Sequence, residues 1–538
     1  MSTRGFWTRP IWPSRAAEPA REFPTADPPW WQGSRRRKAL WVGLIVALTT
    51  PILLAVGGYF YLGVYANQVL DEAVAEADRL DPGWRLEEIE AKRQADEIPV
   101  EEDASERVAF AAELLPEDWQ SGDPKVREAL GPFRGLGLRE AVEKVPPNVL
   151  LGPDVAAGLN DELDELDAAV DEARSVVDLN RGRYQLEYQE LIYDTLIPGT
   201  GDSYKVARLL VLDALRRAQA NDPDGALDDC RAIVGVSRSV GDEPFAISQL
   251  IRIAEDSMAI NTLERVLARG EASEAALAKV QDRLALETDV PFALIAFRGE
   301  RAAFFDMVDK LAAGRIQIPA RSGGGANSGK RPRVLFPHSR AYFRYNQALG
   351  LGLLTRTVEI AKLPLAEQRP HWKAWDKLMM KGADGWRMYA GAIGYRMMPA
   401  LNSFYASHIR LVGMLNVAQV MIAMERFRLA NGRWPESVAE IPKTILPETP
   451  IDPFSKHPVR INRVPDGWVV YCVGSDRKDN GGNLDPKFRT DRQGTDWGYR
   501  LWDVASRRLP PPPSDELPAQ VFQGEPTPDR QPQTDPNL

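Results

Sequence analysis

Residues 39–66 read ALWVGLIVALTTPILLAVGGYFYLGVYA, a run of 28 positions without a charged side chain. A helix of about 20 apolar residues already crosses the ~30 Å hydrocarbon core of a bilayer. The stretch is therefore expected to be one transmembrane helix. Arg35, Arg36, Arg37 and Lys38 precede it; Asp71, Glu72, Glu76 and Asp78 follow it. Basic flanks stay in the cytoplasm, so the N-terminus is expected inside and everything beyond Ala66 outside. Trp41 and the tyrosines 59, 61 and 65 lie near the two ends, where amphipathic rings favour the headgroups. Pro51 falls within the span, where a kink is better tolerated than in a soluble helix. Val64-Tyr65-Ala66 has the form of a signal-peptide cleavage site. The 38-residue lead and an apolar run about twice the usual 7–15 of a signal core favour an uncleaved anchor.

Outward from the span, charge divides the chain. Residues 1–38 hold eight basic and three acidic side chains, and the whole chain of 538 residues has a net charge of −9. The remainder is therefore acidic, which agrees with the orientation and argues against nucleic-acid binding, for which a basic face is needed. The two cysteines, Cys230 and Cys472, give neither a disulfide framework nor a zinc site. Cys230 falls on the apolar stripe of an expected helix, as a small core residue does. The four histidines show no metal-ligand spacing.

The pattern gives a mainly α chain. Residues 1–38 form a Pro-, Trp- and Arg-rich cytoplasmic tail expected to be disordered. A helical domain is expected over 67–318, a flexible linker over 319–334 and a further helical segment over 335–400. From 104 to 313 the periodicity is helical almost throughout. Asp222-Pro223 and Ser273 are N-terminal caps, and Gly270 is a helix stop. Long helices joined by short turns suggest αα-hairpins, without a fixed repeat length. Gly324 to Lys330 superficially fits a phosphate-binding loop, but Arg331 stands where Ser or Thr is required. The pair Glu187 and Glu190 is read as a solvated helix face, with no nucleophile and base beside it.

Three stretches carry a resemblance over about residues 67–315: Asp81-Pro82-Gly83-Trp84-Arg85-Leu86, Arg181-Gly182-Arg183-Tyr184, and the run from Asp222 through Gly241-Asp242-Glu243-Pro244 to Ser248-Gln249-Leu250. They resemble a group of membrane-anchored bacterial proteins for which no activity is established.

After Pro399 the chain changes character. Residues 401–430 form a long amphipathic helix whose five His, Arg and Glu side chains argue against a second span. Asn431-Gly432 ends it. Strands are expected at 459–464 and 468–473 around the turn Pro465-Asp466-Gly467, with another at 499–504. Asn431-Gly432-Arg433-Trp434-Pro435, Asp452-Pro453-Phe454 and the Gly-rich acidic stretch 471–482 occur in the order seen in the periplasmic domain of the major pseudopilin of type II secretion. Residues 401–505 thus resemble that domain, which implies a small α+β, pilin-like module. About 400 residues precede its helix, and no prepilin-type cleavage site precedes the anchor, unlike a filament subunit. The module is expected to fold by itself. Residues 506–538 are a Pro-rich tail expected to be disordered.

The nearest thing to a chemical site is the loop from Ser475 to Asp496. Asp476, Asp479, Asn480 and Asp485 lie close together there, and Gly481-Gly482 allows a sharp turn. Calcium takes six to eight such oxygens, and the pseudopilin resemblance implies calcium at this loop. A plain acidic turn is the alternative, since the spacing is not that of an EF-hand and Arg477 and Lys478 sit beside it. The expected function is a single-pass scaffold or interaction protein of the bacterial inner membrane, with protein partners in the envelope and no catalysis. An accessory role in type II secretion or a pilus-like system is the second expectation, and an envelope hydrolase the third.

Overall fold

A computed structural model describes residues 35–121, 133–316, 340–382, 391–396, 401–484 and 494–511. The expected linker at 319–334, nearly all of the N-terminal tail, most of the C-terminal tail, and Asp485 lie outside these residues. The chain divides into two units, Met1–Tyr65 and Ala66–Leu538. Helix α1 (Arg35–Leu80) supplies the described part of the first and opens the second. Its 18-residue apolar window has a mean hydropathy of 2.3 and none of it is buried.

The second unit is mainly helical with one small sheet. It continues with α2 (Leu86–Ala95), α3 (Ala104–Glu113), α4 (Gly135–Lys144), α5 (Pro153–Glu165) and α6 (Asp167–Arg174). Five long helices follow: α7 (Pro198–Gln219), α8 (Pro223–Val240), α9 (Ala246–Leu267), α10 (Glu274–Thr288) and α11 (Phe292–Ala312). The expected caps form: Asp222 accepts the Gly225 amide at 3.0 Å and Ser273 accepts that of Ala276 at 3.2 Å. Each holds an amide that the helix itself leaves unpaired. Helix α9 packs against α7, α8 and α11, and its apolar side chains include the fully buried Ile260, Leu263 and Val266.

One expectation fails between α6 and α7. The helical period does not carry through residues 175–197, which run mostly without regular structure. Tertiary partners take their backbone groups: the Arg181 carbonyl accepts the Ala104 amide at 2.9 Å, and the Arg183 amide donates to Asp103 at 3.2 Å. A helix would have spent these groups internally, so the contact with α3 overrides the local pattern.

Helices α12 (Arg340–Ala361), α13 (Leu365–Gly382) and α14 (Ala392–Arg396) lead to α15 (Leu401–Asn431). Trp372 and Trp375 of α13 are buried in the core. The apolar window of α15 is 83% buried, so this is an internal helix, in keeping with its charged side chains. Gly432 closes it at φ +67°, a left-handed residue. Strands β1 (Arg460–Val464), β2 (Gly467–Cys472) and β3 (Trp497–Trp502) form an antiparallel sheet in that order, with Val464 opposite Gly467 across the expected turn.

The sheet and α15 do not stand apart from the helices. Helix α15 packs on α9, α10, α11 and α13 as well as on β2 and β3. Tyr499 donates to Asn261 of α9 at 2.8 Å, and the Arg500 amide donates to Glu264 at 2.8 Å. Buried Arg507 grips Glu425 of α15 through two bonds of 3.0 and 2.9 Å and the Gly270 carbonyl at 2.9 Å. One continuous core runs from Ala104 to Leu501. This packing runs against the expectation that the region after Pro399 folds alone.

Candidate functional site

Of the three stretches singled out over residues 67–315, the first and third pack on α11 and the second packs on the third. The first is held by Asp81, which lies at the end of α1. Its carboxylate takes the Arg298 Nε at 2.9 Å, is bonded by the Arg301 guanidinium, and lies 3.4 Å from the Lys362 ammonium. Burial pushes the Asp81 carboxyl up, but the bonds from Arg298 and Arg301 outweigh it and hold it at about 2. Trp84 fills the space beside this clamp, edge-on to Phe305 with ring centroids 4.9 Å apart. The Arg301 guanidinium lies 5.3 Å from its ring.

The other two stretches touch through their glycines. Gly241 has φ +62°, and a Cβ there would fall 2.2 Å from the Gly182 carbonyl oxygen. A Cβ on Gly182 would fall 2.6 Å from Cα of Ser239. Only bare backbone allows this approach. Asp242 then turns outward to Arg93 at 3.0 Å and Arg183 at 3.4 Å. Gln249 bonds the carbonyls of Gly241 and Glu243 at 3.1 and 3.0 Å, and Arg252 bonds that of Gly241 at 2.7 Å. A Cβ on Gly299 would lie 1.7 Å from the Pro244 oxygen, so α11 is pressed directly on this turn.

Glu243 turns inward instead. It is fully buried, as are Glu255 and Asp256 of α9 and Glu287 of α10. Glu287 is bonded to the Arg238 guanidinium. The carboxyl oxygens of Glu243, Glu255 and Asp256 have no well-formed hydrogen bond among the described residues, although the hydroxyls of Ser248, Ser203 and Ser237 respectively face them. Burial is the leading cause that raises Glu243 to about 7 and Glu255 to about 8, and it raises Asp256 as well. Neutral acids in the core are what this arrangement supports. Enclosure keeps solutes from reaching them, so the cluster is not an open catalytic cleft.

Sequence reasoning had included Glu243 within a quoted motif but missed Glu255, Asp256 and Glu287. A weak signal was present: Gln249, Arg252 and Asp256 recur at helical spacing along α9, but other polar side chains of that helix, such as Asn261 and Arg265, blur it.

In the acidic loop each described carboxylate is held by groups of the loop or of the adjoining sheet. Asp476 accepts the amides of Lys478 at 2.9 Å and Gly494 at 3.2 Å. Asp479 accepts the Tyr471 hydroxyl at 3.0 Å and the Gly481 amide at 2.9 Å, and lies 3.1 Å from Arg460. Burial raises Asp479, but the Gly481 amide, Tyr471 and Arg460 together bring it below the usual range. Asn480 donates its amide to Asp496, which the structure adds as the loop's anchor; Asp496 also takes the Gly482 amide at 2.8 Å. Asp485, the fourth residue of the expected calcium set, lies outside the described residues. Among those described, no three His, Cys, Asp or Glu side chains converge as metal ligands. The structure thus brings Asp479 and Asn480 together around Asp496, and aims Asp476 at Gly494.

Buried Asp452 organises the neighbouring turn. It takes the amides of Phe454 at 2.8 Å and Val473 at 3.1 Å and the Ser455 hydroxyl at 2.7 Å. His408 stands edge-on to Phe292, and burial lowers it to about 4. No protein-family model, curated protein or solved structure matches the chain.

Proposed function

We propose that this chain is a non-enzymatic scaffold or interaction protein, anchored in the bacterial inner membrane by one span. Its N-terminus is cytoplasmic and the unit from Ala66 onward is extracytoplasmic. The observation that supports this best is the contrast in apolar exposure. Large apolar side chains from Leu40 to Tyr65 are 41–73% exposed, whereas the second unit buries most of its own. Water does not tolerate such a stripe, and a bilayer does. The long paired helices of the second unit offer extended faces to protein partners.

The test has two parts. A reporter active only outside the cytoplasm should be active when fused after Leu80 and inactive when fused before Arg35; the reverse pattern removes the topology. Crosslinking in intact cells, followed by purification in detergent, should return a protein partner in stoichiometric yield. Recovery of the chain alone removes the scaffold reading.

An accessory role in type II secretion is the second reading. It is favoured by the long helix α15, the Asp452 turn and the antiparallel order β1-β2-β3 following one another. Deleting the chain should then impair secretion, and secretion components should be captured with it. Unchanged secretion removes this reading.

A further inference from the structure

Among the described residues, the acids on and beside α9 outnumber the cations bonded to them. Arg93 of α2 is engaged with Glu90 and Asp242. Arg238 of α8 is engaged with Glu287. Arg252 spends one nitrogen on the Gly241 carbonyl and sets another 3.7 Å from Glu287. Its guanidinium lies 4.9 Å from the Phe292 ring centre, an apolar neighbour. Arg252 also faces Glu243, Glu255 and Asp256 and Arg93 faces Glu243, each favouring the charged form, but neither is hydrogen-bonded to them, and burial outweighs both.

The other elements packed on α9 do not change this balance. Helices α7 and α8 offer the hydroxyls of Ser203 and Ser237, and Tyr184 lies near with its own hydroxyl 3.3 Å from Ser239. Asp202 of α7 adds only negative charge near Tyr184. From α11 comes another acid, Glu300, which accepts the Ala246 amide at 3.0 Å where α9 begins. His408 of α15 stands behind Phe292 and is kept neutral by burial. From β3, Arg500 faces Glu264, further along the helix.

We propose that Glu243, Glu255 and Asp256 are carried as neutral acids, making the helical layer around α9 tight in acid and looser as the medium turns alkaline. An ionised carboxylate without a partner in a dry core is strongly disfavoured, so each of the three keeps its proton or the layer opens to let water in. The direction follows from linkage. A carboxyl raised in the folded state leaves stability intact below its unfolded value, 4.5 for Glu243 and Glu255. Stability then falls as pH rises, until the folded value of about 7 to about 8 is passed.

The test follows the melting of the full chain in detergent from about pH 5 to about pH 9. The native melting temperature is expected to fall across this range. The double variant Glu255→Gln with Asp256→Asn should lose part of that fall, the rest staying with Glu243 and with Glu264, which burial also raises to about 7, and melt at least ~2 °C above the native chain at the alkaline end. Infrared spectra at neutral pH should show a protonated-carboxyl band that is weaker in the variant. Glu243→Gln supplies the same comparisons if the double variant does not fold. A flat native profile, an absent band, or variants that melt below the native chain at both ends of the range would overturn the proposal.

Discussion

Asp81 shows how one side chain binds distant parts of the sequence. Arg298 and Arg301 lie more than 200 positions away along the chain, and both bond to it. Arg301 is fully buried, with two guanidinium nitrogens lacking other partners among the described residues. Removing the carboxylate leaves a buried cation unpaired, so Asp81→Asn is expected to cost about 3–5 kcal/mol in chemical denaturation. A change under ~1 kcal/mol would show that the clamp contributes little. The pH dependence has the opposite sign to that of the acids on α9. Asp81 is depressed from 3.8 to about 2, so its contribution is intact above the unfolded value and fades as pH falls through about 2. Asp81-Pro82-Gly83 has the residue types of a turn, with Gly83 at φ +78°. The partners of Asp81 were not legible, because nothing local in the sequence pairs position 81 with 298 or 301.

Elements repeat this division. Caps, the Pro465-Asp466-Gly467 turn and the stop at Gly432 were legible because short-range backbone chemistry decides them. The break at residues 175–197 was not, since contacts with α3 cause it. Two helix glycines separate local preference from packing. Alanine is favoured over glycine in a helix by about 1 kcal/mol. At Gly352 of α12 an added Cβ meets nothing within 4 Å, so Gly352→Ala is expected to raise stability by up to ~1 kcal/mol. At Gly299 of α11 the same atom would lie 1.7 Å from the Pro244 oxygen. Gly299→Ala is expected to lose at least ~2 kcal/mol as α11 is forced off the Gly241–Pro244 turn. Equal effects of the two substitutions in thermal melts would mean that α11 and the turn are not pressed together.

For the whole molecule, the second unit is expected to fold as one body from Ala66 onward. A fragment starting near Pro399 would expose the faces of α15 that α9, α10, α11 and α13 cover. Its Arg507 would lose the Gly270 carbonyl, and its Tyr499 would lose Asn261. Such a fragment should lack cooperative melting by circular dichroism, whereas the complete second unit should melt cooperatively. A fragment that melts sharply by itself would restore the independent pilin-like module. The change of pattern near Pro399 is thus a change of local structure, across which the core continues.

By itself the sequence determined the apolar helix before Ala66, the mainly helical character, the long helix after Pro399 and the hairpin that follows it. These rest on periodicity, charge and turn chemistry, which act over a few residues. Tertiary structure alone decided that Gly182 meets Gly241, that Asp81 is held by α11, and that three acids of one neighbourhood share too few cations. The physical reason is that burial and charge pairing depend on neighbours in space, and a residue such as Glu255 reads as an ordinary polar position until the helices close around it.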